Sequence, residues 1–92
     1  MSNILERANK IVNERAEEKE RMYGPFEKSM TLAAALYNLM TGTDSMTNVG
    51  MCKAMVAMKL AREAFAHKED NLLDAVAYLG EMNNILENNK NI

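Results

Sequence analysis

Apolar residues recur along this chain at the spacing of helices that each bury one face. Ile4, Leu5, Ala8, Ile11, Val12 and Ala16 follow one another three or four positions apart, which predicts an amphipathic helix over 3–21 with Ser2 placed to cap its start. Its outer face ends in the charge-rich run ERAEEKER, where Glu17 and Arg21 form a favourable i,i+4 pair and Glu14 with Glu18 a like-charged one. Tyr23, Gly24 and Pro25 break the periodicity, since Gly accepts positive φ and Pro suits the first turn of a new helix. The second helix is predicted over Phe26–Met40, with Gly42 as the residue that stops it. Thr47 is the natural N-cap of a third, Asn48–Ala66, and Asp70 or Asn71 of a fourth, Asn71–Glu87, leaving 88–92 as a frayed tail. The expectation is one all-α domain over 1–92 with a core at 25–87. It is a compact four-helix bundle whose last two helices form an antiparallel hairpin across a short link.

The patterns of the last two helices differ from that of the first. Val49, Met51, Cys52, Met55, Val56, Met58, Leu60, Ala61, Ala64 and Phe65 leave the third helix no clean polar face, as expected of a helix that is central or buried between subunits. In the fourth, Leu72, Val76, Leu79 and Leu86 read as the core stripe. Asp74, Tyr78, Glu81 and Ile85 then fall on the opposite side. An outward Tyr78 and Ile85 make sense against another chain, so a homo-oligomer assembled through helices 3 and 4 is expected.

Composition narrows the function classes. The formal charge of -2 argues against an extended nucleic-acid surface, which needs an excess of Lys and Arg over a broad face. One cysteine, Cys52, excludes an intrachain disulfide and a multi-thiol zinc site, and it reads as buried filler. The first twenty residues carry acids throughout and no apolar run is long enough to span a bilayer, so a cytoplasmic, membrane-free protein is expected. Nine Met and no Trp suit an adaptable core or interface.

Lys59, Arg62, Asp70 and Asp74 interrupt an otherwise apolar stretch, and a buried unpaired charge costs several kcal/mol. Counting outward from the turn puts Arg62 level with Asp74, and Lys59 level with Ala77 and Tyr78. Three readings stay open. Arg62 with Asp74 and Lys59 with Glu63 are ion pairs that fix the hairpin register. Alternatively, Lys59 as a compact cation and Arg62 as a planar fork, oriented by Asp74, hold a phosphorylated ligand on whose base Tyr23 or Tyr78 stacks. Lastly, Asp70 and Asp74, four apart on one face, share a metal ion. His67, beside the turn, reads as a C-terminal cap of helix 3. No nucleophile–base order or Gly-rich phosphate loop supports nucleophilic or P-loop catalysis, so no catalytic residue is assigned.

The segments ERMYGPFEKSMTLAAALYNLM and MTNVGMCKAMVAMKLAREAFAHKEDNLLDAVAYLGEM resemble a group of small all-α domains common in phage genomes and grouped with nucleotide-modification genes. The features that carry the resemblance are an Arg before a Tyr-Gly turn, Lys-x-x-Arg on the penultimate helix and Asp-x-x-x-Asp-x-x-x-Tyr on the last. Here they fall on Arg21, Tyr23, Gly24, Lys59, Arg62, Asp70, Asp74 and Tyr78. The resemblance suggests sequestration of a nucleotide, for example a host defence signal such as a cyclic nucleotide, in the host cell cytoplasm. More distantly, KEDNLLDAVAYLGEM looks like the last acidic helix of the MazG-type nucleoside triphosphate pyrophosphohydrolases, which chelate Mg²⁺ through two acidic helix motifs. The Glu-x-x-Glu of that family's earlier helix has no counterpart on helix 2 or 3; only Glu14, Glu17 and Glu20 of helix 1 offer the spacing. Lys59 and Arg62 stand where acids would be expected, which favours direct phosphate binding without a cofactor over Mg²⁺-dependent hydrolysis. The expectation is a non-catalytic nucleotide-binding oligomer. The alternatives are a Mg²⁺-dependent pyrophosphohydrolase and a structural or partner-binding helical oligomer.

Overall fold

The computed structural model describes residues 3–14 and 25–90, and all regular structure among them is helical. Helix α1 spans Ile4–Asn9 and runs on into a π-helical stretch, Lys10–Glu14; α2 spans Phe26–Thr41, α3 Asn48–Phe65 and α4 Glu69–Lys90. The part of the first helix expected beyond residue 14 lies outside the described residues. Asn3 caps α1, its Oδ1 accepting the Glu6 N–H at 2.9 Å, while Ser2 lies outside the described residues. Where the helix widens, Asn13 Nδ2 donates to Asn9 Oδ1 at 2.6 Å, a side-chain link across one turn.

The other punctuation falls where Gly, Pro and Thr place it. Pro25 precedes α2, and Gly42 ends it at φ 70°, ψ 30°, a left-handed conformation that a residue with a Cβ adopts at a cost. Thr47 Oγ1 accepts the Gly50 N–H at 3.0 Å to open α3. Between them Asn38 closes the connection. Its Nδ2 donates to the Met46 carbonyl at 3.0 Å, while its Oδ1 accepts the Met46 N–H at 3.0 Å and the Thr43 hydroxyl at 3.1 Å.

The helices neighbour one another in the order α1, α4, α3, α2, with the α3–α4 hairpin as the most extensive contact. Ala8 of α1 and Val12 of the π-helical stretch meet Ala77 of α4, flanked by Ile11, Leu73 and Val76. Gly80 also faces Val12, where an added Cβ would lie at an ordinary contact distance of 3.5 Å from Val12 Cγ2. Cys52 of α3 is completely buried, in keeping with its reading as filler, and Ala34 is the buried residue of α2.

Two expectations, both on α4, are corrected. Helix α4 does not bury Leu79 and Leu86, which are 46 % and 43 % exposed, whereas Ile85 is 3 % exposed. Two neighbours occupy α4, α1 along Leu73–Ala77–Gly80 and α3 along the stripe that holds Asn71, Asp74 and Tyr78, so the wedge with Leu79 and Leu86 is left to solvent. Small residues, Ala75 and Ala77, are buried where the large leucines were expected. Helix α3, expected to be central or buried between subunits, is flanked by α2 and α4, and its Met58, Leu60 and Phe65 are exposed on the single chain. Lastly, α4 begins at Glu69 and continues to Lys90, so the helix extends into the expected tail and Asp70 lies in its first turn, where a carboxylate suits the helix dipole.

Candidate functional site

The face shared by α3 and α4 joins two of the four charges embedded in the apolar stretch. Lys59 Nζ lies 3.1 Å from Asp74 Oδ2, with side chains 17 % and 40 % exposed. Lys59 therefore takes the place in which Arg62 was expected, three residues along α3. The hairpin pivots nearer to His67 than the sequence count assumed, because α4 starts at Glu69 and shortens the link to Ala66–Lys68. The same register brings Glu63 to Asn71, and Cys52 within the field of Glu81. Burial, and secondarily that Glu81 charge, pushes the Cys52 thiol up, away from the reactive thiolate.

Glu63 is thus not Lys59's partner. Its Oε1 accepts the Lys68 N–H at 3.0 Å, its Oε2 is bonded to His67 Nδ1, and the buried Asn71 further favours its charged form. His67 consequently serves the Glu63 carboxylate instead of capping the last carbonyls of α3; the Arg62 carbonyl accepts the Ala66 N–H at 3.1 Å. Foremost the hydrogen bond with His67 holds the Glu63 carboxyl below the ordinary carboxylate range, against a smaller opposing effect of burial. A lowered folded pKa gives stability that is present above the unfolded carboxylate value and lost as pH falls through the folded one. Thermal unfolding from pH 7 to pH 3 should therefore show an acid loss that Glu63→Gln flattens. Equal slopes in both proteins would deny Glu63 this role.

Of the residues singled out by sequence, the structure joins Lys59 and Asp74 and sets Tyr78 one turn further along α4. Tyr78 meets Phe26 from the start of α2, ring centroids 6.0 Å apart at 47°, a tilted aromatic pair. Arg62 is exposed, next to Lys59 at i+3, and forms no ion pair with a described residue. Asp70 is exposed and apart from the Lys59–Asp74 pair. Arg21 and Tyr23 lie outside the described residues, as do Glu17 and Glu20. Among the described residues no group of three or more His, Cys, Asp or Glu is arranged to hold a metal ion, and Asp74 is committed to an ammonium. No helix among them is long and apolar enough to cross a membrane.

Sequence reasoning missed Phe26 and the ion pair of Arg7 with Glu69, which ties α1 to the start of α4. Both are contacts between distant segments with no local signal. The i,i+4 spacing of Glu63 and His67 was such a signal. An open depression between α2 and the start of α3, lined by Glu27, Lys28, Thr31, Leu32, Ala35 and Asn48, contains none of the residues singled out.

The domain of unknown function DUF6378 matches residues 3–86, from α1 through most of α4, and the chain belongs to that family. No curated protein and no solved structure matches the chain.

Proposed function

We propose that this DUF6378 protein binds a nucleotide or a related phosphorylated small molecule on the α3–α4 face and does not turn it over. The observation that carries the reading is Lys59, mostly buried and held at 3.1 Å by Asp74, with the exposed Arg62 guanidinium beside it and in no ion pair with a described residue. A fixed ammonium next to a planar fork is a donor set for phosphate oxygens. Asp74 orients Lys59, in place of the Arg62 expected from the sequence. The Tyr78–Phe26 pair one turn away offers a surface for a base. Arg21, Tyr23 and Asp70 belong to the site on the strength of the phage resemblance alone, and so do the roles in sequestering a host defence signal and in the host cytoplasm. Self-association is part of the same reading, now supported by exposed apolar side chains, since Ile85 is buried within the chain.

The 3.1 Å approach of Lys59 to Asp74 also favours a second reading, in which the pair only fixes the hairpin register. Arg62 separates the two. Thermal unfolding with a panel of linear and cyclic nucleotides, with and without Mg²⁺, should reveal a ligand that raises Tm by on the order of ten degrees at a hundredfold excess over Kd. Arg62→Met should leave the apo protein within about 0.5 kcal/mol of wild type and abolish that rise. Lys59→Met should abolish it too, at a cost of roughly 1 kcal/mol or less for a partly solvated pair. A wild type indifferent to every nucleotide, or an Arg62→Met variant that still responds in full, would return the pair to a register role.

A further inference from the structure

Helix α2 has one face against the molecule and one against nothing. Ala34 is buried and Met30 and Asn38 half-buried, all on the same side of the helix. Leu32, Leu36, Leu39 and Met40, spaced i, i+4, i+7 and i+8, form a stripe on the other side and are between 48 and 84 % exposed. Not one charged residue occurs from Ser29 to Thr43. A solvated helix face is ordinarily charged, and α4 places Glu87 and several Asn among its exposed leucines. These four side chains present on the order of 500 Å² of apolar surface, at the upper end of what a monomer shows and more than half of the roughly 800 Å² that each partner gives to a standard interface.

We propose that α2 is the seam of a homodimer, packed antiparallel against α2 of a second copy across a two-fold axis at Leu36. Charge supports a second copy over a different partner. The stripe itself is neutral, so its self-contact opposes no like charges. The charges that bracket it are Lys28 at the start of α2 and Asp44 just past its end, both exposed. Each lies eight positions from Leu36. An antiparallel pair centred there sets Leu32 level with Met40 and brings the Lys28 end of each copy toward the end of the other that carries Asp44 beyond the Gly42 turn. An isologous contact needs such self-complementarity. The inference rests on the apolar stripe of α2 and stands independently of any ligand.

Light scattering at micromolar concentration should give twice the 10.3 kDa of one chain. Leu36→Glu should reduce this to a single chain with the helical circular dichroism unchanged, while Leu86→Glu, on the exposed wedge of α4, should leave the dimer intact. Lys28→Asp should weaken association at least several-fold and Lys28→Asp with Asp44→Lys should restore it; both are surface changes, so this comparison holds even where Leu36→Glu impairs folding. A wild type of any mass other than the dimer's, a dimer dissociated by Leu86→Glu, or a charge swap that fails to rescue would overturn the proposal.

Discussion

Ile85→Ala should lower folding stability by about 2–4 kcal/mol, while Leu86→Ala, one residue on, should cost less than about 1 kcal/mol. In a 92-residue chain the first corresponds to a fall in Tm of roughly 10–25 °C, and it takes a large part of a total stability on the order of 5–14 kcal/mol. The difference rests on burial. Ile85 is 3 % exposed, so truncation leaves a cavity that the helices close only in part, whereas Leu86 is 43 % exposed and water fills the space. Urea or thermal unfolding of the two variants side by side measures it. Equal losses, or a larger one in Leu86→Ala, would mean that α4 is rotated from the orientation described and that its leucine stripe faces the core.

Asn38→Ala should cost about 2–3 kcal/mol, which is large for a polar residue. Its amide donates to the Met46 carbonyl and accepts from both the Met46 N–H and the Thr43 hydroxyl, all between 3.0 and 3.1 Å, in a partly buried setting. Removing it leaves the Met46 backbone groups without these partners, and they anchor the loop that delivers Thr47 to the start of α3. Asn38→Asp keeps the acceptor and loses the donor, so an intermediate loss is expected. Amide exchange separates this from a merely local effect: Met46 and Gly50 should lose protection in Asn38→Ala. A variant with wild-type Tm and unchanged protection at both positions would show that the loop closes without the amide.

The candidate site was legible in its residue types and misplaced in its pairings. Lys59, Arg62 and Asp74 stood out because charges are rare in apolar helical stretches, and the short link foretold an antiparallel hairpin. Which cation meets Asp74 depends on where the turn pivots. The two-residue difference between a helix starting at Asn71 and one starting at Glu69 moved the partner from Arg62 to Lys59. Glu63 was assigned to Lys59 by i,i+4 spacing; its other i,i+4 neighbour, His67, and the Lys68 N–H hold it instead. Spacing identifies the available partners, and the geometry of the turn chooses among them.

The sequence by itself determined the α-class, the four helical segments and most of their ends, because these follow from local causes: period, the left-handed Gly42, the Thr47 hydroxyl and the rigid φ of Pro25. It also marked Cys52 as filler, and the fold buries that thiol completely. Only the tertiary structure decided which faces of those helices are buried. Large apolar residues occur on more faces than there are neighbours to cover them, so hydrophobicity alone could not rank Leu79 below Ile85 or single out α2 as the face left bare. That ranking is set by how closely two backbones approach, and here the buried Ala75 and Ala77, which carry little hydrophobic signal, let α4 lie against its neighbours.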